Sequence, residues 1–189
     1  KVNSTVTHIN LSKNCIDEEG ASKLAEALKV NSTVTDIDLF SNSINDEGAS
    51  KLAEALIVNT SLTKINLSAN NISNDGAAAL AQAIAVNSTL TNVDLSDNLI
   101  ELTGAELLVD ALQVNTSIID LDMNDDYSST CYTVGAVAEL LERNRRLRRL
   151  FLFDIRQMLM SQLCSDVVGV VWSHFIGTGT GTDDGAVPI

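Results

Sequence analysis

Residues 29–56 read KVNSTVTDIDLFSNSINDEGASKLAEAL, and they repeat residues 1–28, KVNSTVTHINLSKNCIDEEGASKLAEAL, with seven changes. The same 28-residue wording starts again at Ile57 and Ala85, and a decayed fifth copy starts at Gln113. Each copy runs apolar-x-x-apolar-x-Leu-x-x-Asn-x-Ile, as in Val6, Ile9, Leu11, Asn14 and Ile16. Gly20, Ala21, Leu24, Ala25 and Leu28 follow. A fixed period of this length marks a stacked array, in which each unit buries its apolar face only against its neighbours.

Two periodicities alternate within the unit. Val6–Ser12 alternates, with Ile9 and Leu11 on one side and His8, Asn10 and Ser12 on the other, which predicts a short strand with one buried face. From about Glu18 to Leu28 the spacing of Ala21, Leu24, Ala25 and Leu28 predicts one apolar helical stripe. Asp17, Asn45 and Ser73 stand at helix starts, where short polar side chains accept from free backbone N–H groups. Strand, turn, helix and return loop repeated in one sense give a right-handed α/β solenoid. Its expected form is a horseshoe arc with parallel strands on the concave face and helices on the convex face. The column Asn14, Asn42, Asn70 and Asn98 falls just after each strand, where buried amides would satisfy backbone groups of the turn.

The wording VNSTVTDIDLxxNxIxDEGAxxLAEAL resembles the ribonuclease-inhibitor-like subtype of leucine-rich repeat, and within it the repeat regions of NOD-like immune receptors. The likeness is strong over residues 1–126 and weak to about residue 153. It implies a solenoid that binds proteins, and a sensing or autoinhibitory segment of a larger cytosolic protein.

The fifth copy departs from the pattern: Met123 replaces Leu, Asp126 replaces Asn and Ser128 replaces Ile. A helix resumes over Val134–Arg143, and Leu147, Leu150 and Leu152 predict a sixth strand among Arg145, Arg146, Arg148 and Arg149. Residues 1–153 are therefore expected to form a solenoid of about five to six repeats. Residues 154–176, apolar on most sides, read as a helix capping its end. Residues 177–189, rich in Gly and Thr, read as a flexible tail. Gln157, Ser161, Gln162, Ser165 and Asp166 interrupt the apolar stretch, so it does not read as a membrane span.

Composition narrows the function. The net charge is −13, and residues 1–126 carry 19 acidic against 6 basic side chains. Such a surface disfavours nucleic acid and anionic membranes. Cys15, Cys131 and Cys164 are odd in number and lack metal-ligand spacing, which points to a reducing, cytoplasmic setting with neither disulfides nor zinc. The chain opens at Lys1 inside the repeat pattern, as an excised segment would. His8 and His174 are far apart, and Gly177, Gly179 and Gly181 follow no strand, so no catalytic set and no cofactor site emerge. Enzymatic activity is not expected.

The seven changes between the first two copies fall at positions 8, 10, 12, 13, 15, 17 and 18 and their counterparts, on outward strand positions and the turn beyond. Two readings fit: a constant scaffold with a tuned face, or positions that tolerate drift. On the first reading the partner-binding face comprises Asp36, Asp38, Phe40, Lys64, Asn92, Asp94, Asp97, Asp120 and Asp122. Stacked carboxylates repel, so a protein with a basic surface, a cation or the nearby Arg148 and Arg149 would each gain by docking there. Phe40 is the aromatic candidate for an anchor. A Ran-type GTPase-activating protein also looks like this repeat class, but the first arginine is Arg143. A surface protein of a pathogen or protist is a third reading. In it the sequons at Asn3, Asn31, Asn59, Asn87 and Asn115 would carry glycan; the competing role is a left-handed helix stop at each turn.

Overall fold

The computed structural model describes residues 3–123 and 135–149. Strands and helices alternate in the order β1 (His8–Asn10), α1 (Glu18–Val30), β2 (Asp36–Asp38), α2 (Asp46–Val58), β3 (Lys64–Asn66), α3 (Asn74–Val86), β4 (Asn92–Asp94), α4 (Leu102–Val114) and β5 (Asp120–Asp122). Residues 135–149 are helical. The strands form one parallel sheet in the order β1-β2-β3-β4-β5. Partners are offset by one repeat, as in His8 with Asp36 and Asp36 with Lys64, so the sequence period is the sheet register. This is an α/β solenoid, and β1 to β5 with α1 to α4 lie in one compact unit, Lys1–Arg146.

The core is a column of identical layers. Ile37, Leu39, Ile44, Leu52 and Leu56 of the second coil are buried, as are Ile65, Leu67, Ile72, Leu80 and Ile84 of the third. Each such side chain contributes about 1.5–3 kcal/mol by leaving water. The first coil lacks a described neighbour on one side, and its Ile9, Leu11, Ile16 and Leu24 are only partly buried.

Three sets of polar side chains hold the turns. Asn70 Nδ2 donates to Leu39 O and Leu67 O while its Oδ1 accepts from Ile44 N, and Asn98 repeats the pattern with Leu67 O, Leu95 O and Ile72 N. The expected role of that column is thus met at Asn70 and Asn98; Asn42 makes the same bonds half-buried, whereas Asn14 is exposed and donates to Ser12 O. Asp17 and Asn45 accept from Gly20 N and Gly48 N, and Ser73 accepts weakly from Asp75 N. The later helices are capped from the coil before: Asp46 Oδ1 accepts from Ser73 N and Gly76 N, and Asn74 Oδ1 from Glu101 N and Gly104 N. That cross-coil cap leaves no room for a side chain at Gly76, where a Cβ would lie 2.6 Å from Asp46 Oδ1 and 2.7 Å from Ile72 Cγ2.

The asparagines after the helices form the third set, and they correct one expectation. Asn31, Asn59, Asn87 and Asn115 are not left-handed; Asn31 has φ −83° and ψ 133°, and the others are similar. The side chain makes the stop instead. Asn87 Oδ1 accepts from Thr89 N and Leu90 N, closing the turn, while Nδ2 donates to Leu56 O and Asn59 O of the preceding coil. Among the described residues positive φ occurs elsewhere, at Lys13, Ser41, Ala69 and Asp97 in the turns after β1 to β4 and at Cys15.

The expected sixth strand does not start at Leu147, because residues 147–149 continue the helix. Leu150 and Leu152, the boundary at 153, the capping helix at 154–176, the tail at 177–189 and the substitutions at Asp126 and Ser128 lie outside the described residues. Among the described residues no helix is long and apolar enough to cross a membrane.

Candidate functional site

Because the register equals the repeat, outward strand residues stack into two columns. The first is His8, Asp36, Lys64, Asn92 and Asp120; the second is Asn10, Asp38, Asn66, Asp94 and Asp122. All ten line one open depression of about 540 Å³ across the five strands. Seven of the nine expected site residues therefore meet on one surface: Asp36, Asp38, Lys64, Asn92, Asp94, Asp120 and Asp122.

Phe40 and Asp97 are not among the residues lining it. The reason is the shortness of the strands. Asp38 Oδ1 accepts from Phe40 N, so the chain turns two residues after the last outward position. The alternation in the sequence extends one step further than the strand does. Half-buried Phe40 instead carries Lys13, whose Nζ lies 5.4 Å from the ring centroid. Asp97 is exposed in the left-handed turn after β4, with φ 54°.

Charge is distributed unevenly along the columns. At the amino-terminal end Asp36 faces Lys64 Nζ at 3.6 Å, which offsets its charge, and His8 Nε2 lies 3.3 Å from it on the other side. Asp38 accepts from Asn10 Nδ2 at 3.0 Å. At the other end, Asp120 is exposed and accepts from the neutral amide Asn92 Nδ2 at 3.0 Å. Asp94 accepts from Ser96 N and Ser96 Oγ, closing the same turn that Asn10 and Asn66 close in their coils. Asn10, Asp38, Asn66 and Asp94 thus have a structural duty at the strand ends, which Asp120 of the first column does not share.

The remaining candidates separate. His8 is exposed, with Nδ1 against Thr7 Oγ1, and Cys15 is an exposed free thiol. Among the described residues no group of His, Cys, Asp and Glu is placed to hold a metal ion. The sequon asparagines Asn59, Asn87 and Asn115 are buried, and each commits Nδ2, the atom a glycan would occupy, to two carbonyls of the preceding coil. Arg143, the first arginine, spends its guanidinium on Leu112 O, Gln113 O and Asn115 O. Sequence reasoning passes over that arrangement, although 143 lies one period after Asn115.

Four segments of the chain, residues 2–25, 30–53, 58–81 and 86–109, match the model of the Leucine Rich repeat family. No curated protein matches the chain. Among solved structures, leiomodin-1 actin-binding site 2 aligns with a TM-score of 0.74 at 26% identity, covering 82% of this chain and 90% of that one. The tropomodulin C-terminal domain of Caenorhabditis elegans aligns with a TM-score of 0.65 at 18% identity, covering 78% of this chain and 91% of that one.

Proposed function

This chain belongs to the leucine-rich-repeat family, and from that premise we propose that its strand face is a non-enzymatic docking surface for a protein with a basic contact region. The observation that carries the reading is the charge step along the columns. Asp36 is offset by Lys64, while Asp120 is exposed and meets the neutral Asn92 amide. A basic group arriving over β4 and β5 meets the exposed carboxylate of Asp120, with Asp94 on the strand beside it.

The likeness to leiomodin-1 actin-binding site 2 supports a second, narrower reading in which the partner is actin. The resemblance of the repeat wording to NOD-like receptors supports a place in the sensing or autoinhibitory part of a larger cytosolic protein. For the Ran-type alternative, the carbonyl bonds of Arg143 argue against that residue as a catalytic finger.

Binding to a partner captured from the native host separates these readings when wild type is compared with Asp120→Lys and Phe40→Ala. Asp120→Lys is expected to weaken binding about tenfold, with the difference shrinking as salt rises. Phe40→Ala is expected to leave binding unchanged. A partner held equally by wild type and Asp120→Lys would overturn the strand-face reading. Titration of purified actin against the same proteins decides the narrower one.

A further inference from the structure

The successive helices α1 to α4 pack closely, but the next helical segment stands off from α4. Ala25, Ala53 and Ala81 are buried, whereas Val109, at the same place one repeat later, is larger and yet half-buried. A Cβ at Gly48, Gly76 or Gly104 would touch an alanine of the previous helix at 3.1–3.2 Å; Gly135, three residues past the next step of that column, has nothing within 4 Å of a Cβ built there. Between α4 and residues 136–143 lies an open groove of about 640 Å³.

Its apolar floor is Val109, Ala136 and Leu140, all half-buried. Its rim is acidic, with exposed Glu106, Asp110 and Glu139. Arg143 closes one end, and its bonds to the carbonyls of Leu112, Gln113 and Asn115 fix it as wall. Three carboxylates against one guanidinium leave the rim net negative. A groove between helices with an aliphatic floor and charged edges is the shape that receives one face of an amphipathic helix.

The geometry points to this groove as a second docking site, on the helical flank, for a short amphipathic partner helix with aliphatic anchors flanked by lysine or arginine. It is separate from the strand face and does not depend on the reading given to that face. Charge complementarity selects the occupant: aliphatic side chains cover Val109 and Leu140 while basic ones meet Glu106, Asp110 and Glu139.

The test uses a fluorescent helical peptide of about 14 residues, with leucines at i, i+3, i+4 and i+7 and lysines flanking them, and a twin with glutamates in place of the lysines. Anisotropy is expected to show binding of the lysine peptide and not of the glutamate twin. Leu140→Asn should weaken it about tenfold or more. The exposed-rim variant Glu106→Lys with Glu139→Lys, which leaves the core untouched, should do the same, and Asp120→Lys should have no effect. Hydrogen exchange should slow over residues 106–113 and 136–143 when the peptide is bound. Equal binding by the rim variant and wild type, protection on the strands instead, no binding at all, or a dimer of the chain dispersed by Leu140→Asn would each overturn the proposal.

Discussion

In the second, third and fourth coils an asparagine ends the helix and takes two carbonyls of the coil before, whereas after β5 the equivalent carbonyls are taken by Arg143, with Asn144 Nδ2 sharing Asn115 O. Asn115 Nδ2 donates to Ile84 O and Asn87 O; Arg143, one period later, donates to Leu112 O and Asn115 O. The donor half of the job is the same. The acceptor half is not, because a guanidinium has no lone pair with which to close a turn. The first four helices stop at Val30, Val58, Val86 and Val114, and 28 residues past Val114 is Glu142. The last helical segment runs through it to residue 149. The neighbouring Asn144 is fully buried and points Oδ1 at Arg143, so it cannot supply the missing stop.

The largest effect should come from removing both halves at once. Asn87→Ala strands Leu56 O, Asn59 O, Thr89 N and Leu90 N in a buried place, and is expected to cost about 3 kcal/mol or more. The control is Asn3→Ala. There the same residue is exposed and uses only its acceptor, for Thr5 and Val6, so the cost should stay below about 1 kcal/mol. Denaturant unfolding measures both. Similar losses at the two positions would break the assignment of the energy to burial of the amide.

A smaller effect separates two glycines, one in each of the same two regions. Gly76→Ala forces a methyl against Asp46 and Ile72, and overpacking of about 1–3 kcal/mol exceeds the gain of up to about 1 kcal/mol in helix propensity. Gly135→Ala enters open space and should be neutral or mildly stabilising. Thermal melting of the two variants should move in different directions; a shared sign would mean that the close approach at Gly76 is relieved by adjustment of its neighbours.

The array is legible in the sequence because its period is also its register. The two columns on the strand face follow from counting in steps of 28, and so does the buried asparagine of each turn. Three features are not legible. Alternation alone puts Phe40 on the face, because it carries no mark of where a three-residue strand ends; the mark is the Asp38 side chain turning back to Phe40 N. The cross-coil caps escape notice because Asp46 and Asn74 read as surface residues, and only the recurring glycine one repeat on hints at a side chain reaching over. The left-handed turns after β1 to β4 are occupied by Lys13, Ser41, Ala69 and Asp97. Those side chains share no turn signature, so the backbone there is set by the stack and not by local preference.

Restoring the acceptor at the last helix is the finest probe of the comparison. Arg143→Asn gives the coil an amide whose Oδ1 can take the N–H groups two and three residues on, as Asn59 and Asn87 do. Its Nδ2 can inherit the bonds to Leu112 O and Asn115 O. The substitution trades a guanidinium with three backbone bonds for an amide with two, so global stability should change by no more than about 1 kcal/mol. The local outcome should be clear: the helix ends near residue 142, and amide exchange over residues 144–149 accelerates while exchange over α1 to α4 is unchanged. Persistence of slow exchange through residue 149 would show that Asn144 or the packing of Leu141, not the identity of residue 143, carries the helix onward.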